Sequence, residues 1–111
     1  MQHDIETLEV TIEHAQKTVS RMKAMEKLTK NRDFKTIVLD GYFEQESIRL
    51  VHLKSDPNMQ SPEAQTDILN QMNAIGTVRQ YFNGVMQLGR MAEKAIAADQ
   101  ETLDELRAED V

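Results

Sequence analysis

From Pro62 to Glu109 the sequence reads PEAQTDILNQMNAIGTVRQYFNGVMQLGRMAEKAIAADQETLDELRAE, and this stretch decides the fold. Ile68, Met72 and Ile75 start a series that continues through Val78, Phe82, Val85, Gly89, Ala92 and Ile96 to Leu103 and Leu106. The steps are three and four residues, apart from a slip between Ile75 and Val78 and a gap at Asp99. That spacing keeps one stripe of an α-helix turned toward a partner helix. Ser61, Pro62 and Glu63 form a helix start: a hydroxyl cap, a proline at the first position, then an acid at the positive end of the helix dipole. Gly76, Gly84 and Gly89 weaken the helix locally, but nothing in the stretch stops it. At about 1.5 Å per residue it would reach roughly 70 Å, too long for one shorter helix to cover.

Upstream of Pro62, residues 55–61 are the one clear loop, where Pro57 and Pro62 bracket polar turn formers. Before it, a second helix is expected over about 34–54. It carries Phe34, Ile37, Val38, Leu39, Tyr42, Phe43, Ile48, Leu50, Val51 and Leu53, the most apolar run of the chain. Gly41 inside it implies a close helix approach or a kink, since glycine costs about 1 kcal/mol in a helix interior. Asn31 and Asp33 are both suited to cap this helix. A first helix is expected over about 4–30, with Ile5, Leu8, Ile12, Ala15, Val19 and Met22 at steps of three and four. At Met25 and Leu28 two successive steps of three make the stripe slip around the helix.

Residues 4–54 nearly equal residues 62–109 in length. Folding at the loop brings Phe34 near Phe82, Val19 near Ile96, Ile12 near Leu103 and Leu8 near Leu106. The expectation is a single all-α domain over 1–111 with coiled-coil-like packing and a very long third helix. It is either a long antiparallel helical hairpin, bent near Asn31, or a three-helix bundle whose third helix protrudes. Leu8, Ile12, Val19, Phe34, Phe43, Leu50, Phe82, Val85 and Ile96 are the candidate buried seam, within the chain or between chains. Either arrangement leaves apolar surface uncovered, because two helices cannot bury such broad stripes alone. Self-association or a partner surface is the natural remedy.

The 111 residues contain no cysteine, so disulfides, thiolate metal sites and cysteine nucleophiles are excluded. No apolar run approaches the roughly 18 residues of a membrane span, and His3, Asp4 and Glu6 do not open a secretory signal. A net charge of −6 argues against a general nucleic-acid-binding role. His3, His14 and His52 have no partners at metal-ligand spacing, and no metal or cofactor is expected. Asp40 and Glu44, one turn apart beside Tyr42 and Phe43, could pair for acid–base work, but helix surfaces carry that spacing routinely. No nucleophilic serine motif and no glycine-rich phosphate loop occurs, so an enzyme is not expected.

Charge is distributed unevenly. Asp4, Glu6, Glu9 and Glu13 make the first segment acidic, and Asp99, Glu101, Asp104, Glu105, Glu109 and Asp110 oppose only Arg107 at the other end. In a hairpin both would meet at one tip, where Asp99, Asp104, Glu105, Glu109 and Asp110 form a candidate acidic surface able to fray or to dock on a basic partner. Lys17, Arg21, Lys23, Lys27, Lys30, Arg32 and Lys35 make 17–35 basic. Without interleaved aromatics, that run does not suit single-stranded nucleic acid. Asp99 falls where the seam expects an apolar residue. It either fixes helix register or marks where the tip has opened to water.

Asn31-Arg32-Asp33-Phe34-Lys35, then Gly41-Tyr42-Phe43 with Glu46 and Arg49-Leu50-Val51, the closing Asp56-Pro57, and later Ala74-Ile75-Gly76 with Tyr81-Phe82, resemble small helical proteins encoded among the structural and assembly genes of tailed bacteriophages. The resemblance covers about residues 31–90. It implies a virion component or assembly factor working in many copies, as a homo-oligomer or on a larger phage structural protein, in the virion or the host cytoplasm. The expected function is therefore non-enzymatic self-association or docking. The alternative is a small regulatory protein that binds and inhibits a host protein through its acidic helical tip.

Overall fold

The computed structural model describes residues 2–109, and among them there is no strand. Helix α1 spans Gln2–Thr29. It ends where Asn31 turns extended, with φ −70° and ψ 127°, and the Asn31 side chain accepts the Phe34 amide at 2.9 Å. Of the two capping candidates it is therefore Asn31 that caps, leaving Asp33 in the first turn of α2, Arg32–Phe34. Residues Lys35–Gln45 follow without a break as a π-helix, and Glu46–Ser55 continue as α3. Asp56 accepts the Asn58 amide at 2.8 Å and opens a 3₁₀ turn, Pro57–Met59. Helix α4 then runs for 48 residues, Pro62–Glu109, started by the Ser61 hydroxyl accepting the Ala64 amide at 3.1 Å. The chain is all-α, with the last helix very long. Residues 30–31 break the helix outright, and the second helical stretch starts at Arg32 rather than at Phe34.

The chain forms two compact units. The first joins residues 2–26 of α1 to residues 84–109 of α4. Ile5, Ile12 and Leu103 are buried together, with Leu8, Ile96 and Leu106 packed against them, so the expected Ile12/Leu103 and Leu8/Leu106 levels share one core. The two segments run antiparallel: Glu9 pairs with Arg107 at 2.9 Å near one end, while Met22 lies against Gly89 further along. A side chain at Gly89 has no room. A Cβ there would lie 2.2 Å from the Met22 Cβ, so the missing side chain is what lets the helices approach. Met22 and Met25 are buried beside this contact, while Val19 and Val85 are half-buried.

The second unit is residues 27–83. Leu50, Ile68 and Ile75 are buried in it, surrounded by Tyr42, Phe43, Leu53, Met59 and Met72. Phe34 meets Phe82 as the folding-back arithmetic expects, ring centroids 5.9 Å apart, and Phe43 packs edge-on against Phe82 at 5.4 Å. Two glutamine amides hold the loop end. Gln60 donates to the carbonyls of Lys54 at 3.0 Å and Asp56 at 2.7 Å, and Gln65 donates to those of Lys54 at 3.1 Å and Met59 at 2.8 Å. The two bonds to Lys54 satisfy a carbonyl that the end of α3 would otherwise leave to water, and the others tie down the loop itself.

The π segment is the departure from expectation. A π-helix bonds each amide five residues back instead of four, which widens the turn. Here the Glu46 amide bonds to the Gly41 carbonyl. The wider turn lets residues four and five apart share a face, and the half-buried apolar side chains Phe34, Val38, Leu39, Tyr42 and Phe43 are spaced that way, although Asp40 between them is half-buried too. Gly41 receives no other helix: within 4 Å a Cβ there would meet only the Thr36 carbonyl. It lies five residues beyond Thr36, whose carbonyl oxygen would be 3.0 Å from a Cβ at position 41.

Candidate interaction surface

Each unit carries apolar side chains that its own core does not cover. In the second unit Ile37 is 69% exposed, Ile48 52% and Val51 53%. Widening of the π segment, together with the absence of a side chain at Gly41, leaves a shallow hollow lined by Ile37, Val38, Gly41, Tyr42 and Glu46. One rim is fixed electrostatically. Arg49 forks onto Glu46, its Nε 2.9 and 3.1 Å from the two carboxylate oxygens and its Nη2 on Oε1. That hydrogen bond holds the Glu46 carboxyl below its ordinary value and the guanidinium above its own. Lys35 reaches Asp40 at 3.4 Å across the π segment. Asp40 and Glu44 do not form a carboxylate pair aimed into an enclosed cavity: Asp40 is bound to Lys35, and Glu44 is exposed.

In the first unit the uncovered residues form a line. Leu88, Met91, Ala95, Ala98 and Thr102 are exposed and fall in line with half-buried Gly84 at steps of four and three along α4, each directly preceding a residue of the packed side, so the line flanks the buried seam about 100° round the helix. Leu88 is 57% exposed and Met91 58%. None of the six is charged, although charged residues are frequent elsewhere in the stretch. The Thr102 hydroxyl donates to the Ala98 carbonyl at 3.2 Å, so its polarity is spent inside the helix and its methyl remains for packing. Residues of this kind escape a search for large apolar side chains, because four of the six are Gly, Ala or Thr. The usable signal was the absence of charge at heptad spacing.

The predicted seam residues divide between the units. Leu8, Ile12, Val19, Val85 and Ile96 belong to the first, and Phe34, Phe43, Leu50 and Phe82 to the second. Ile12 and Leu50 are buried and the other seven half-buried. Of the acidic set, Glu105 and Glu109 are exposed, Asp104 accepts from Gln100 at 3.0 Å, and Asp110 lies outside the described residues. Asp99 is half-buried, and beyond it Leu103 and Ile5 are still enclosed. The seam therefore closes again past Asp99 and does not open to water there. Glu9 and Arg107 bridge the two helices at the same end. Among the described residues no three His, Asp or Glu side chains are grouped to hold a metal ion, and no helix is long and apolar enough to cross a membrane.

No protein-family model, no curated protein and no solved structure matches the chain.

Proposed function

We propose that this is a non-enzymatic helical protein that acts by associating with copies of itself or by docking on a larger protein. The observation that carries the reading is the uncharged line on α4, in which Leu88 and Met91 are more than half exposed although the residues behind them are already packed. Solvated helix faces are usually laced with charge. A helix that omits charge along one exposed stripe and keeps it elsewhere is arranged for contact with another surface. Ile37, Ile48 and Val51 in the second unit add a further uncovered apolar area. The resemblance of residues 31–90 to small helical proteins of tailed bacteriophages supports a structural or assembly role in such a particle, in the virion or in the infected cytoplasm.

The test is the size of the species formed in the cell that makes the protein. Tagged wild-type chain is expected to elute from a fresh extract in a complex well above 12.7 kDa. Leu88→Glu with Met91→Glu, or Ile37→Lys with Val51→Lys, should shift part or all of it to monomer while purified variants keep their helix content. A wild-type chain that elutes as a monomer from its own extract would sink the reading.

A further inference from the structure

The geometry points to residues 35–45 as a two-state winding element, held as a π-helix by a clasp on Phe82 and rewinding to an α-helix when that clasp opens. The clasp is aromatic. Phe34 and Phe43 both pack on Phe82, with ring centroids 5.9 and 5.4 Å away. They are nine residues apart in sequence, about 2.5 turns of an α-helix, which would put them on opposite sides. Both reach one ring only if those residues make about two turns, roughly 4.5 residues each, and that is the π winding. Two further contacts have the same origin. Lys35 pairs with Asp40 at 3.4 Å, and a Cβ on Gly41 would meet the Thr36 carbonyl oxygen at 3.0 Å. Both pairs are five residues apart, where an α-helix turns side chains about 140° from each other.

Local preference runs toward the other winding. π-Helices are rare and mostly single turns, whereas this one runs for 11 residues between α2 and α3. The sequence also carries a second pattern that only the α winding would use. Phe34, Ile37, Gly41, Glu44, Ile48 and Val51 fall at steps of three, four, three, four and three, the spacing of a helix stripe, with Glu44 its one charged member. Ile37, Ile48 and Val51 are the large apolar side chains that this stretch leaves exposed. In the π winding Ile37 misses the side of Ile48 by nearly half a turn. In the α winding their separation makes about three turns, and the two align.

Phe34 belongs to both patterns. Rewinding would turn it away from Phe82 and into the outer stripe, and Thr36 would take its place beside Leu39 and Phe43. The break at 30–31 supplies the swivel, because Leu50 pins α3 in the core. The winding therefore decides whether the outer apolar residues are scattered or gathered into one stripe, and it gates any contact made through that stripe.

Nuclear Overhauser contacts from an α-proton to the amide five residues on report the π winding, and to the amide four residues on the α winding. Wild-type chain is expected to show the five-residue contacts across 36–46, with ring contacts from Phe34 and Phe43 to Phe82. Phe82→Ala opens the clasp: the five-residue contacts should be lost, the four-residue ones gained, and helix content kept. Because Phe82→Ala also removes packing, Phe34→Thr combined with Thr36→Phe provides a second variant. Position 36 lies seven residues before Phe43, about two α turns, so a ring there reaches Phe82 only in the α winding. Ring contacts between position 36 and Phe82 are expected, again with loss of the five-residue contacts. Ile37→Ala, outside the clasp, should keep the wild-type pattern. None of these readouts depends on association. Five-residue contacts that survive in either clasp variant, a wild-type chain that lacks them, or loss of the helix over 35–45 in the double variant would each overturn the inference.

Discussion

Three glycines in one helix allow the close approach of α1 and α4 to be tested by a single substitution made three times. In an exposed helix interior, Gly→Ala is worth about 1 kcal/mol in favour of the folded state. A Cβ at Gly76 or at Gly84 would meet nothing within 4 Å, so Gly76→Ala and Gly84→Ala should each gain close to that amount. At Gly89 the same methyl would stand 2.2 Å from the Met22 Cβ and 2.7 Å from its Cγ and Sδ. Carbon atoms pack at about 3.5–4.0 Å, so something must yield by roughly 1.5 Å. The Met22 Cβ cannot swing aside as a chain end can, so the helices themselves must separate along the buried Met22 and Met25. Overpacking of this kind costs about 1–3 kcal/mol. After the propensity gain, Gly89→Ala should lose up to about 2 kcal/mol, a difference of roughly 1–3 kcal/mol from Gly84→Ala five residues away. Urea denaturation followed by far-UV circular dichroism, at concentrations where the chain is monomeric, measures all three. Moving the glycine to the other helix, as Met22→Gly with Gly89→Ala, should recover part of the loss beyond additivity. Equal stabilisation at Gly84 and Gly89 would refute the close approach and with it the pairing register of the first unit.

Other expectations follow from single contacts. Leu50 is fully enclosed, so Leu50→Ala should cost about 2–5 kcal/mol of unfolding free energy, whereas Val51→Ala next to it, on the exposed side, should stay within about 0.5 kcal/mol. Asn31→Ala removes the cap on Phe34 and should cost about 1 kcal/mol, read as earlier amide exchange in 32–36. Gln65→Ala strips two donors from the Lys54 and Met59 carbonyls and should cost about 1–2 kcal/mol with faster exchange or proteolysis at the 56–61 loop. The Glu46 carboxyl is held below its ordinary value by Arg49, so the contribution of this pair is present above the ordinary carboxylate range and lost as pH falls through the lowered value. Arg49→Gln should return the Glu46 titration, followed by NMR, to the ordinary range, and an unmoved titration would show that the fork does not persist in solution.

What could be read from the sequence, and what could not, divides along physical lines. The long helix was legible because Ile68 to Leu106 repeat at the spacing of a helix face, and the loop because prolines and polar turn formers have local consequences. The Phe34–Phe82 contact followed from length arithmetic alone. The π segment did not. Its apolar residues come in clusters, Ile37-Val38-Leu39 and Tyr42-Phe43, four and five apart, and clusters satisfy three-and-four spacing loosely enough to pass for an α-helix. Gly41 suggests a kink or an approach site on sequence alone, because the neighbour it has in the structure is the Thr36 carbonyl five residues back, which α-helical spacing does not point to.

The candidate surface was hidden for a related reason. Reading for large apolar side chains finds the seam that holds a chain together, and Val85, Ile96 and Leu103 answered to it. A surface meant for a weak, reversible contact cannot advertise itself that way, since a long row of exposed leucines would aggregate. It has to be built from small residues with few large ones among them, and its mark is charge left out where charge costs nothing to include. On α4 that mark runs from Leu88 to Thr102, along the flank of the α1 seam, where the side chains are exposed. On the association proposed above, the same helix carries one seam of bulky side chains that closes the chain on itself and, beside it, an uncharged line free to meet another surface.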